Sequence, residues 1–302
     1  MDLTGVVVAA LILVNVAFVL GWLWAVRRHG LRGRPQLADV AIGSLTTFLD
    51  TLGIGSFAPT TALLKFRGKV ADELIPGTLN VGLNAAALIE TLLFIKIVSV
   101  QPALLACMVA GAAAGAWLGA GIVSRMPRRS IQVFMGVALL LAAGFFAMKN
   151  LGAFPEGGAA MALTGWKFPL AVVVSFVLGA LMCVGIGNYA PLMILLSLLG
   201  MAPLAAYPIM MASDGMLQPV ASLGFFRSGR FAHVASVGLT VGSFIGVPLA
   251  FLLVTYLVRE LPVKQIRWGV IAVVIYSAIV MLRSAWRERA PLRAAAAQTS
   301  PP

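Results

Sequence analysis

The sequence predicts an all-α polytopic membrane protein. It is built from two inverted repeats, each a broken, re-entrant helix hairpin plus three transmembrane helices, with one extra transmembrane helix in front. Three observations predict this. Of the 302 residues, 61% are hydrophobic and only 11% charged, and the mean hydropathy is +1.00, values outside the range of a soluble domain. Leu3 to Val26 is 24 residues without a charge and Phe168 to Ser213 is 46, long enough to cross about 30 Å of hydrocarbon at about 1.5 Å per residue. The heptapeptide Gly-Ile-Gly-x-x-Ala-Pro occurs at Gly53–Pro59 and again, 132 positions later, at Gly185–Pro191. Each copy interrupts an apolar segment, and such paired breaks mark the binding site of duplicated carriers.

Taken in order, the first span, 3 to 26, has no basic residue before it and is followed by Arg27-Arg28. It reads as a retained helix and not a cleaved signal. Residues 1–35 are this helix and a basic cytoplasmic loop, and 36–150 form the first repeat: a hairpin over 37–64, then spans at 74–96, 103–124 and 131–149. An extracytoplasmic linker, 151–167, leads to the second repeat, 168–285, with a hairpin over 168–200 and spans at 207–226, 235–257 and 266–284. Residues 286–302 read as a disordered cytoplasmic tail. The duplication extends past the heptapeptide. Pro76 returns as Pro208, the ladder Gly111, Gly115, Gly119 as Gly242, Gly246, Ala250, and Met126-Pro127 as Leu261-Pro262.

The arms after the breaks, Ser56–Lys65 and Asn188–Gly200, span only about 15 to 20 Å as helix, short of a crossing. With both breaks as hairpins and the N-terminus outside, sixteen of the twenty-two basic residues fall on the cytoplasmic side. Full crossings would leave thirteen there, so the positive-inside rule selects hairpins. A hairpin plus three crossings is an odd number, which turns the second repeat upside down. The net charge of +12 therefore sets topology and does not mark a nucleic-acid binder. Cys107 and Cys183 lie in apolar runs, as small buried thiols do, and His29 and His233 fall in basic loops, so no disulfide framework, metal or other cofactor is expected.

A helix that starts inside the membrane presents free backbone N–H groups and a partial positive charge, a ready anion site. The candidate substrate-binding residues are Gly53, Gly55, Ser56, Phe57 and Thr60 at the first break and Gly185, Gly187, Asn188 and Tyr189 at the second. Asn80, Asn84 and Gln218 join them from the following helices, where Asn80/Asn84 and Asp214/Gln218 each share a face at i, i+4. Asp214, Glu90 and Asp50 are carboxylates at membrane depth, functional by default as proton or cation relays. The expected partners are a small anionic substrate and the lipid bilayer. An alternative is a cation or metal-ion carrier using the carboxylates, although hard metals prefer clustered acids and transition metals His or Cys. An intramembrane enzyme is the weakest reading, because no Ser-His, His-Glu or paired-carboxylate constellation is present.

Phe48-Leu49-Asp50 running into Gly53-Ile54-Gly55, a proline beyond, and Pro76-Gly77-Thr78-Leu79 opening the next helix, all within a duplicated frame, resemble the sulfite exporter TauE/SafE family. That family is also called the toluene sulfonate uptake permease group. The resemblance covers about residues 36 to 285. It implies a multi-pass transporter of the bacterial inner membrane that moves sulfite, sulfoacetate or another organosulfonate. The glycine cluster after the acid is here Gly-Ile-Gly-Ser, and Met182 stands in the second repeat where the first has Asp50.

Overall fold

The computed structural model describes residues 3–29, 33–95, 100–253 and 263–287. Among them twelve α-helices form in the order α1 (Leu3–His29), α2 (Leu37–Thr51), α3 (Phe57–Arg67), α4 (Ile75–Gly82), α5 (Asn84–Phe94), α6 (Pro102–Val123), α7 (Arg128–Asn150), α8 (Lys167–Met182), α9 (Tyr189–Leu198), α10 (Pro203–Ser228), α11 (His233–Leu252) and α12 (Val263–Arg287). A short 3-10 turn, Asp72–Leu74, precedes α4. Among the described residues there is no strand, only an isolated bridge between Ala160 and Met201. Helices α1, α6, α7, α11 and α12 are each long and apolar enough to cross a membrane. The chain is therefore an all-helical protein of membrane character.

Both heptapeptides break a helix as the sequence predicts, and in each case the chain turns back to where it began. Arg67, the last residue of α3, pairs with Asp39 in the first turn of α2 and donates to the Gln36 side chain at 2.6 Å. Midway, the Thr60 hydroxyl donates to that of Thr46 at 2.7 Å. In the second half the ammonium of Lys167, opening α8, donates to the Leu199 carbonyl just past α9 at 2.8 Å. The start and finish of each broken segment are thus tied together, a hairpin.

The two hairpins open at opposite ends of the bundle, and α7 measures the distance between them. Near its N-terminus Gln132 donates to Asp72 at 2.8 Å, and Asp72 also takes Lys65 from α3 at 2.6 Å. Arg230, past α10, donates at this end to the Met126 carbonyl beyond α6 at 2.8 Å. At the far end Asn150 donates to the Lys264 carbonyl at 3.1 Å and accepts from Arg267 at 2.7 Å. Helix α6 also starts at the far end, where the Gln101 side chain accepts from the Leu163 backbone. The linker that carries Leu163 bonds there to the opening of the second hairpin, through Gly158 to the Met201 carbonyl and Ala202 to the Ala160 carbonyl. Hairpin α2–α3 opens at the Asp72 end and hairpin α8–α9 at the Asn150 end.

The glycine ladders explain how the halves hold each other. A Cβ on Gly115 of α6 would collide with the Phe176 carbonyl of α8, and one on Gly246 of α11 would collide with the Ser44 carbonyl of α2. These are the same pairs in sequence register, since Ser44 and Phe176 are 132 apart and Gly115 and Gly246 are 131 apart. Each hairpin's long arm therefore lies backbone to backbone on the ladder helix of the other half, the close approach that small residues permit between apolar helices. Gly115→Leu and Gly246→Leu are expected to cost more than the usual 1 to 3 kcal/mol of overpacking, because backbone and not a side-chain tip stands in the way. Both should be lost as folded protein in size-exclusion profiles. Gly144→Leu should be recovered normally, since nothing lies within 4 Å of a Cβ there.

Several expectations change. The single span predicted at 74–96 is two helices interrupted at Leu83. Thr240 of α11 donates to the Gly82 carbonyl at 3.1 Å, a side chain inserting into the ladder where helices kink. Its counterpart in the second half, α10, runs unbroken for 26 residues with Pro208 and Pro219 inside it. Cys107 is exposed and only Cys183 is buried. His233 is not in a loop but opens α11, its ring 4.0 Å from that of Phe231, and His29 closes α1. Helix α12 extends to Arg287, and the remainder of the predicted tail lies outside the described residues, as do 254–257 of the predicted span 235–257.

Candidate functional site between the two helix breaks

The heptapeptide is two caps back to back. At the first break the N–H of Gly53 bonds the Asp50 carbonyl and that of Ile54 the Leu49 carbonyl. At the second, Gly185 bonds Met182 and Ile186 bonds Leu181. This is the Schellman closure of a helix C-terminus, which requires a left-handed residue at its first position. Gly53 and Gly185 supply it, with φ of 77° and 97°. The isoleucine that follows anchors the turn, and Ile54 is fully buried. The next helix then begins at Ser56 or Asn188 as N-cap, with proline in its first turn. Neither N-cap side chain bonds its own helix. The first N–H groups of α3 and α9, at residues 57, 58, 189 and 190, thus carry no side-chain cap.

Those two uncapped termini meet. A cavity of about 40 Å³ lies between them, room for a few waters. Gly55, Ser56 and Phe57 line it from the first break, and Gly187, Asn188 and Tyr189 from the second. Asp50 and Asp214 line it as well. Asp50, at the C-terminal end of α2, interacts with the hydroxyl and backbone N–H of Ser56, and Asp214 of α10 accepts from the Asn188 amide at 3.1 Å. Each N-cap residue is thus engaged by a carboxylate of its own half.

The other candidates lie elsewhere. Glu90 stands one layer out, buried and accepting at 2.8 Å from Thr51, the residue that follows Asp50. Gly53 and Gly185 build the caps and do not line the cavity. Thr60 spends its hydroxyl on Thr46. Asn80 turns back to the Pro76 carbonyl at 2.9 Å, and Asn84 donates to Asn15 of α1 at 2.9 Å; neither lines the cavity. Gln218 is buried away from the cavity, its side-chain oxygen unpartnered.

Two contributions escaped sequence reasoning. One wall comes from α7, where Ala138, Ala142, Phe145 and Phe146 face the breaks. The signal was there as small residues at i, i+4, but a scan for polar groups passes over alanine. The second is Lys149, near the end of the same helix. Its ammonium lies 3.5 Å from the Gly53 carbonyl and 5.5 Å from the Tyr189 ring centre, touching both breaks at once. Among the described residues no cluster of three or more His, Cys, Asp or Glu is arranged to hold a metal.

Comparisons with protein-family models, with curated proteins and with solved structures returned no match for this chain.

Proposed function

We propose that the protein is a secondary transporter that moves a small anion by alternating access, with the anion seated between the N-termini of α3 and α9. A sulfur oxyanion or organosulfonate is the substrate class, in line with the resemblance to the TauE/SafE group, and a bacterial inner membrane is its setting. One observation carries the reading: two hairpins with the same seven-residue break enter from opposite ends and bring uncapped helix N-termini to one cavity. Such half-helix termini at mid-bundle are how carriers hold anionic groups without buried basic residues. Opposite hairpin openings and the reciprocal glycine contacts support an inverted repeat.

Asp50 and Asp214 define the coupling. Each ionised carboxylate offsets the partial charge of about half a unit at its helix terminus and repels a second anion. The anion therefore enters with a proton on one of them, and proton and substrate travel together. In proteoliposomes, an inward proton gradient is expected to drive sulfite or organosulfonate accumulation, while carboxylates and divalent cations at equal concentration are left behind. The carboxylates also favour a second reading, a cation carrier; uptake of a cation alone in the same assay would replace the first reading with this one.

The basic residues support a cytoplasmic assignment for the Asp72 end, which gathers Arg67, Lys69, Arg125, Arg128, Arg227 and Arg230, against Lys149, Lys167, Lys264 and Arg267 at the other. Helix α1 ends at the Asp72 end, with Phe18 against Phe226 of the last turns of α10, so its N-terminus faces outside. With the exposed Cys107 first replaced by serine, an impermeant maleimide should label Lys69→Cys only from the cytoplasm and Glu156→Cys only from outside. Labelling of both from one side would remove this topology.

A further inference from the structure

We infer that the groove between the ends of α6 and α10, on the outer face of the bundle at the Asp72 end, is a binding site for an anionic phospholipid. The inference concerns the outer surface and depends on no property of the central cavity, only on the membrane setting. The groove has a volume of about 770 Å³, within the size range of small-molecule sites. Its walls are apolar and turned outward: Trp117 is 62% and Ile122 60% exposed, with Leu223 opposite. Its depth comes from missing side chains. Gly121 has nothing within 4 Å of a Cβ position, and Gly224 lets α10 approach Ala120 of α6.

The rim carries the charge. Arg125 follows α6 and Arg227 closes α10, both exposed and both lining the groove. Neither guanidinium has a hydrogen-bond or ion-pair partner among the described residues, and the acids at this end are engaged elsewhere. Asp39 pairs with Arg67, Asp72 with Lys65 and Arg128, and Glu73 with Arg128. The two helix C-termini contribute about half a negative charge each against two full positive charges, which leaves the rim positive by roughly one unit. Ser124 and Ser228 line the groove beside the arginines, their hydroxyls donating to the Gly121 and Phe225 carbonyls. A positive rim above an apolar trough fits a phosphodiester headgroup with its acyl chain along Trp117 and Ile122, the arrangement by which basic pockets between membrane helices hold acidic lipids. Trp117 fits the interfacial position that indole prefers.

The test uses the purified full chain in detergent, titrated with phosphatidylglycerol, phosphatidylcholine or inorganic phosphate and read by native mass spectrometry and thermal unfolding. Phosphatidylglycerol should be retained and should raise Tm, while the other two do neither. Arg125→Gln with Arg227→Gln should weaken phosphatidylglycerol binding about thirtyfold, from the charge attraction of two arginines. Gly121→Leu keeps both charges but fills the trough and should also lose the lipid. It tests the site even where the double variant fails to fold, because its side chain enters open space. Equal retention of phosphatidylcholine, an equal Tm rise with phosphate alone, or wild-type phosphatidylglycerol binding by Gly121→Leu overturns the inference.

Discussion

Asn188→Asp is expected to lower anion binding by well over a hundredfold while the protein still folds. Asn188 is 1% exposed, stands at the N-cap position of α9 without bonding that helix and donates its amide to Asp214 at 3.1 Å. A carboxylate in its place gains from the helix N-terminus, by about 0.3 to 1 kcal/mol and up to about 2 when partly buried. It also faces a second carboxylate, and two acids at that separation cannot both ionise, so they share one proton. The fold survives by taking up that proton. The cavity does not recover in the state in which wild type accepts an anion with Asp214 protonated, because the pair that shares one proton still carries a negative charge where the wild-type site is neutral. At about 4 Å and an effective dielectric near 20 the repulsion is about 4 kcal/mol, nearly three powers of ten. Ser56→Asp should behave alike, since Ser56 stands at the matching N-cap with Asp50 as its neighbour. Calorimetric titration with sulfite or a sulfonate checks both variants. Near wild-type affinity in both would mean that the helix termini do not hold the substrate, and a gain for a cation would favour the second reading.

The repeated breaks and glycine ladders were legible in the sequence, as were Asp50 and Asp214 at the cavity, whereas features set by packing between elements were not. The heptapeptide named both breaks because the same backbone problem, a left-handed cap followed at once by a new helix, admits the same residues twice. The Gly111 and Gly242 ladders named their helices for the same reason. Asn80 and Asn84 show the limit. Their spacing fixes a common face only on a continuous helix, and here α4 ends between them; Asn84 meets Asn15 of α1, a helix outside the repeat. The interruption at Leu83 has a tertiary cause, a hydroxyl arriving from α11. It lacks the proline signal that a sequence scan uses, and the two prolines inside α10 leave that helix continuous. Lys149 stands at the end of the predicted span 131–149 with no motif around it. What gives it a part in the site is the return of the first hairpin, which sets the Gly53 carbonyl beside it.

The carboxylates break the symmetry, and that makes them the sharpest test of coupling. Asp50 is matched by Met182 in the second half, and Asp214, at the same offset of 132, by Gly82 in the first. One acid per half thus reaches the cavity from non-equivalent positions, a pattern that duplication alone does not produce. Asp214→Asn keeps the size of the side chain and an oxygen able to accept from Asn188, so the cavity should hold its shape. It cannot gain or lose a proton. If Asp214 carries the coupling proton, counterflow exchange of labelled for unlabelled anion should continue, because exchange needs no net proton movement. Accumulation against a gradient should stop. One pH unit is worth about 1.4 kcal/mol per proton, so a carrier moving one proton with each anion concentrates it about tenfold under that gradient beyond the uncoupled level. Wild type is expected to show that factor and Asp214→Asn to fall to the uncoupled level. Asp50→Asn and Glu90→Gln locate the remainder of the path: Asp50 lines the cavity and should behave like Asp214, whereas Glu90, which bonds Thr51 and does not line the cavity, should slow accumulation without abolishing it. Full gradient-driven accumulation by both Asp214→Asn and Asp50→Asn would assign the two acids to holding the helix caps and require a coupling ion other than the proton.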